Sequence, residues 1–177
     1  MHRLFVALRP PGEVRERLRA IMGGVPGARW QSDDQLHLTL RFIGEVDDHV
    51  AEEIALALDR VRHAPVTIAL SGVGSFGSRG RPHSLWARAL PSPGLGDLHT
   101  AVEGALRRCS IAPDPRAFTP HITLARLART AGPIDRWLAE SAGLAIQPFT
   151  IESFELYESE LGREGSIYHV AARYQLR

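Results

Sequence analysis

The stretch Leu36–Gly44, "LHLTLRFIG", decides how this chain is read, because Pro120–Ala128, "PHITLARLA", repeats its core. Each copy carries His, an aliphatic residue, Thr and Leu: His37 to Leu40 in the first and His121 to Leu124 in the second. Side chains alternate faces along a strand, so His37 and Thr39 point one way while Leu38 and Leu40 point the other. His121 and Thr123 divide from Ile122 and Leu124 in the same manner. Each copy therefore buries an aliphatic face and presents an imidazole and a hydroxyl.

Around these strands the rest of the chain falls into alternating elements. "RLFVAL" reads as a buried strand closed by Pro10, Pro11 and Gly12, followed by a helix with Val14, Leu18, Ile21 and Met22 at helical spacing. After the first motif, "DDHVAEEIALALDRVRHA" opens on aspartate caps and keeps an apolar helical face. "PVTIALSGVGSF" and "HSLWARAL" then form a hairpin across "GSRGRP". The second half repeats the order: a helix in "LGDLHTAVEGALRRCS", the strand "FTPHITLARL", a short helix in "PIDRWLAESAG", the strand "FTIESFELYES", a loop at "LGREG" and the strand "SIYHVAARYQL". The two histidines, at positions 37 and 121, stand 84 residues apart in a chain of 177. This spacing points to an internal duplication with repeat halves of roughly 1–90 and 91–177. No Gly-, Ser- or Pro-rich linker divides the halves, so the expectation is one structural domain, 1–177, with two interleaved lobes.

Composition narrows the function. With 44% apolar and 23% charged residues the chain is globular in type and long enough to fold without a metal or a partner, so a monomer is expected. Lys and Arg number 21 against 20 Asp and Glu, which argues against long electrostatic tracking along nucleic acid but leaves room for a small anionic site. Contact with at most a few phosphates, and a shallow salt dependence of any such binding, follow from that balance. Cys109 is the only cysteine and reads as a helix-end core residue, so no disulfide framework or cysteine-rich metal site is available. The apolar run before Pro10 is too short for a signal peptide or membrane span, which gives a cytoplasmic expectation and no membrane partner.

If the two lobes are related by a pseudo-twofold axis, two imidazoles and two threonine hydroxyls meet across one groove. In-line displacement at phosphorus needs one group to take a proton from the nucleophile and another, on the opposite side, to protonate the leaving oxygen. Two histidines can do both, one neutral and one charged near neutral pH, with a bell-shaped pH profile as the consequence. The chemistry calls for no metal and no cofactor, and neither motif has a second His or a carboxylate at ligating spacing. A single strand histidine is ordinarily a partly buried structural residue, and His2, His49, His63, His83, His99 and His169 take that reading.

At these residues the sequence resembles the 2H phosphoesterase superfamily, named for its paired His-x-Thr/Ser motifs, and within it the bacterial RNA 2',3'-cyclic phosphodiesterases, also described as 2'-5' RNA ligases. The likeness extends from "RLFVAL" through Trp30 and "SLW" at Ser84–Trp86 to "ELYESELGREGSIYHVAARYQL". The resemblance implies an α+β fold: a bilobal pseudo-twofold duplication of two antiparallel sheets facing a central cleft, with helices outside. It implies RNA ends bearing a 2',3'-cyclic phosphate, or nucleotides, as partners, and metal-independent opening of that phosphate to a 2'-phosphate. His37 is implied as the proton donor and His121 as the proton acceptor, with Thr39, Thr123 and Arg126 holding the phosphate. Strict alternation puts Arg126 on the face opposite His121, so a bulge or the strand's end is needed there. Arg41, even-spaced from His37, could reach RNA from the groove rim, while Phe42 is either core or a stacking surface. Glu158, an acidic residue in "YESEL", is expected to point away from the cleft. Two alternatives stay open: a nucleotide- or RNA-binding module without turnover, and a related enzyme acting on another cyclic or 2'-5' linked nucleotide.

Overall fold

β1 (His2–Leu8) is the apolar run anticipated, and Pro10 and Pro11 end it because proline cannot donate to a strand ladder. The computed structural model, which describes all 177 residues, continues with α1 (Gly12–Ala20), whose Val14 and Leu18 turn inward. A short β2 (Ala28–Trp30), absent from the sequence reading, leads through a single 3-10 turn at Asp33–Gln35 into β3 (Leu38–Val46). α2 (Asp48–Asp59) is capped by the Asp47 carboxylate, which accepts from the Val50 N–H at 2.9 Å. β4 (Val66–Ser78) and β5 (Arg81–Ala89) form the anticipated hairpin, its two-residue turn taking positive φ at Arg79 and Gly80. α3 (Pro93–Arg108) runs into β6 (His121–Leu127), the second motif strand; Cys109 caps α3 and packs against the core as expected. α4 (Asp135–Ser141), β7 (Ala145–Ile151), β8 (Ser153–Gly162) and β9 (Gly165–Gln175) complete the chain.

The strands lie in the order β7-β4-β5-β6-β3-β1-β8-β9, with β2 added on β6, and every pairing is antiparallel. The path has two four-stranded halves. They meet where β3 touches β6, through the pair Leu38 and Ile122. Each half carries one motif strand at its inner edge. A core of 36 buried residues, including Leu18, Ile54, Leu58, Leu98 and Val102 from the helices, lies between the sheet and the helices. The opposite sheet face is left for the cleft.

The hairpin of the second half, β8 and β9, docks through β8 on β1 beside the first motif, while that of the first half, β4 and β5, docks through β5 on the second motif strand. One expectation changes. "FTIESFELYES" is not one strand but two, β7 paired to β4 through Ile151 with Val66, and β8 paired to β1, with the handover at Glu152. The backbone stays extended on both sides of Glu152. Local propensity therefore carries no mark of a change of partner, which the neighbouring strands alone decide.

Both motif strands contain a bulge immediately after the threonine. Thr39 pairs with Ala7 and Arg41 with Val6, leaving Leu40 unmatched; Thr123 pairs with Trp86 and Ala125 with Leu85, leaving Leu124 unmatched. An unmatched residue reverses the alternation beyond it. Arg126 is thereby brought to the His121 face, meeting the requirement the sequence set. The same reversal corrects Arg41. It is buried, not on the rim: its guanidinium donates to Glu103 Oε1 at 2.6 Å, to the Phe42 carbonyl at 3.0 Å and to the Ala112 carbonyl. Phe42 then takes the cleft-side position equivalent to Arg126 and is 42% exposed, so it is not core.

Leu38 is 1% exposed at the only point where the half-sheets pair. Leu38→Ala should destabilise the fold by about 3 kcal/mol, within the range for buried leucine truncation, read as a lowered urea midpoint. A loss below about 0.5 kcal/mol would mean the junction is carried elsewhere.

Candidate active site

Antiparallel register through Leu38 and Ile122 sets His37 across from Thr123, and Thr39 across from His121. The four polar residues of the two motifs thus meet on one face, each histidine beside the other motif's threonine. Two grooves leave this meeting point. One, of about 810 Å³, opens on the His121 side and is lined by Thr39, Phe42, Phe76, Phe118 and Thr119 among others. The second, of about 1050 Å³, opens on the His37 side beside Gln35, Tyr157 and Tyr168.

Both imidazoles are held in the same way. His37 Nδ1 lies 2.7 Å from the Gln35 carbonyl, and His121 Nδ1 lies 2.6 Å from the Thr119 carbonyl. A carbonyl only accepts, so Nδ1 carries the hydrogen in both rings and the Nε2 lone pair remains available. Gln35 is itself fixed by a capping box. Its side-chain oxygen accepts from the Ser32 N–H at 2.9 Å and its amide donates to the Ser166 carbonyl at 2.7 Å. Thr119 is steadied differently, by Pro120, which restricts the residue before it to extended backbone.

Aromatic rings back each histidine with matching geometry. His37 lies 4.8 Å from Phe5 and meets the Tyr168 ring edge-on at 5.3 Å. His121 meets Phe76 edge-on at 4.9 Å and lies 6.0 Å from Trp86. Gly74 is required here: a β-carbon on it would fall 2.3 Å from the Trp86 ring. Gln35, Phe5, Tyr168, Phe76 and Trp86 were not assigned to the site from sequence. The "SDDQ" capping-box spacing before His37 was the one local signal, and the aromatics come from strands remote in the chain.

Burial dominates the electrostatics. His37 is pushed down to about 4, first by desolvation, with the Gln35 bond opposing and the charges of Arg126, His121 and Arg9 adding. His121 is also lowered, again by burial first, opposed by its Thr119 bond and reinforced by Arg126. The expectation of one neutral and one charged ring near neutral pH is therefore corrected. In the open cleft both are neutral, because burial penalises the cation. Arg126 is the cationic group that acts on both rings. Glu158 points away as expected, with His2 Nδ1 2.7 Å from its carboxylate. His99 stacks on Phe118 at 4.0 Å, a supporting contact in the wall of the smaller groove.

This architecture belongs to a recognisable class of protein, phosphoesterases with two similar lobes around one cleft. The LigT-like phosphoesterase family model matches twice, over residues 8–86 and 89–168, once in each half. The chain belongs to that family. A curated RNA 2',3'-cyclic phosphodiesterase of Aeropyrum pernix is 35% identical over 82% of this chain and 84% of its own length. The protein of that name from Escherichia coli K12 is 31% identical over 98% of this chain and 96% of its own. Among solved structures, TT0787 of Thermus thermophilus superposes with a TM-score of 0.83 at 28% identity, covering 99% of this chain and 98% of that one. Escherichia coli LigT complexed with 3'-AMP superposes with a TM-score of 0.76 at 28% identity, covering 99% and 98%. No helix of this chain is long and apolar enough to cross a membrane.

Burial of a neutral His37 links stability to pH. Between pH 6.5 and about 4 the unfolded chain binds a proton that the folded chain does not. The stabilising contribution is thus complete above pH 6.5 and declines as pH falls through that window. The urea midpoint should drop from pH 7 to about pH 5, and His37→Asn should drop less. Equal drops would mean that His37 does not titrate with folding.

Proposed function

We propose that the chain is a metal-independent RNA 2',3'-cyclic phosphodiesterase: one structural domain, acting as a cytoplasmic monomer, that opens a terminal cyclic phosphate to a 2'-phosphate. The observation that carries this reading is the pair of imidazoles, each fixed through Nδ1 and each with Nε2 free, meeting across one cleft with Arg126 beside them. The curated relatives' name supplies the substrate class.

The neutral His121 Nε2 takes a proton from water as its oxygen attacks phosphorus. The bond from phosphorus to the 3' oxygen breaks on the far side. His37, protonated at Nε2, gives that proton to the departing oxygen. Thr39, Thr123 and Arg126 hold the non-bridging oxygens where charge accumulates. Because both rings are neutral in the open cleft, the acid must be recruited. The anionic substrate does this by offsetting the Arg126 charge and stabilising an imidazolium beside it. The reversible 2'-5' joining reaction uses the same groups, with a 5'-hydroxyl in place of water. Phe42, exposed in the groove on the His121 side, offers that incoming nucleoside a surface to stack on.

The test is hydrolysis of an RNA oligomer ending in a 2',3'-cyclic phosphate in excess EDTA, with the phosphate position of the product determined. Undiminished rate and a 2'-phosphate are expected; loss of rate in EDTA or a 3'-phosphate product would refute the scheme. His37→Ala and His121→Ala should each lower kcat by about 10²–10⁴-fold while the protein remains folded. The profile of kcat/KM, which reports the free protein, should lie on the acid side of pH 6.5, and that of kcat should shift to higher pH as bound substrate raises the imidazoles. Coincident profiles would remove substrate-driven protonation from the mechanism.

A further inference from the structure

The groove on the His37 side contains more positive charge than the chemistry uses. Its walls bear Arg9, Arg29, Arg163 and Arg173, against the carboxylates of Asp34 and Glu164. Arg9 and Arg173 are tied down by Asp33 and Glu155. Arg29 and Arg163 have no carboxylate within ion-pair distance, and neither does Arg126. Arg29 on β2 is paired directly opposite Arg126 on β6. Like charges at that position destabilise a ladder unless an anion lies between or beside them. Gly165 at the β8–β9 turn places the end of this series. A β-carbon there would lie 3.5 Å from the Arg29 guanidinium carbon, so Arg29 reaches the hairpin whose two-residue loop is Arg163 and Glu164. Arg29 and Arg163 therefore lie together in this groove, and Arg29 sits opposite Arg126 at its inner end.

In-line geometry fixes which strand can use it. The leaving 3' oxygen is apical and faces its proton donor, so the ribose that bears it lies on the donor's side of phosphorus. With His37 as donor, that ribose and the chain upstream of it extend away from His121.

We propose that the Arg29–Arg163 groove binds the phosphodiester backbone immediately upstream of the cyclic phosphate. This rests on the proposed function, and on His37 as the donor, but adds a specificity that function alone does not contain: a preference for RNA ends over mononucleotides. Both arginines are exposed, one on a strand edge and one in a turn. Neither contacts a nucleotide that lacks an upstream phosphate.

The experiment compares kcat/KM for uridine 2',3'-cyclic phosphate and for a single-stranded tetranucleotide ending in the same group, in the wild type, Arg163→Ala and Arg29→Ala/Arg163→Ala. The wild type is expected to favour the tetranucleotide by roughly tenfold, and the double variant to lose that advantage with the mononucleotide rate unchanged, which also certifies its fold. The salt slope of tetranucleotide binding should fall by about 0.7 for each arginine removed. A wild type without length preference, or a double variant that keeps it, overturns the proposal. So does loss of the advantage in Arg107→Ala/Arg116→Ala instead, which would seat the strand in the other groove. If the wild type hydrolyses neither substrate, the catalytic reading fails. Fluorescence anisotropy with the 2'-phosphate tetranucleotide then decides the groove separately: a reduced salt slope in the double variant retains it, and an unchanged slope removes it.

Discussion

One cross-strand pair, Leu38 with Ile122, is the constraint on which the site depends. Both residues are 1% exposed, and they are the aliphatic residues between His and Thr in the two motifs. Packing them together on the core side forces the residues before and after each onto the other face, where the imidazoles and hydroxyls meet. The apolar half of the motif is thus what aligns the polar half. Because the half-sheets pair nowhere else, their relative position is held mainly by the shared core beneath, to which the helices contribute. Area buried far from the cleft sets distances within it.

The exchange of hairpins strengthens that arrangement. Each half-sheet is completed by strands from the other half of the sequence, so neither lobe can leave without breaking its outer pairing. The aromatic backing of His37 comes from β1 and β9, and that of His121 from β4 and β5. Each histidine is therefore positioned by strands distant in sequence and anchored by a carbonyl two residues away. The burial that gives such rigidity also removes the charge from both rings. A cleft in which desolvation disfavours the charged form of both imidazoles is the electrostatic outcome.

How much of this was legible depended on whether a feature is local. The recurrence of His37–Leu40 at His121–Leu124, the helical spacing of Val14 and Leu18, and the Asp47 cap are properties of neighbouring residues, and each appears in the structure where the sequence placed it. Arg126 shows the intermediate case. Its spacing demanded a bulge, and the bulge exists at Leu124. The matching bulge at Leu40 carried no such signal, so Arg41 was assigned to the wrong face and Phe42 was underestimated. Register is an agreement between two strands, and one strand's pattern does not contain it.

By itself the sequence determined the type of each main element, the two copies of the motif and the kind of chemistry they can perform. These follow from periodicity and side-chain chemistry, which act over a few residues. Tertiary structure alone decided that β7 and β8 separate at Glu152, that the hairpins cross between lobes, which rings frame each histidine, and that both imidazoles are neutral. Strand pairing and desolvation are set by residues brought together from far along the chain, and no local pattern records which neighbours those will be.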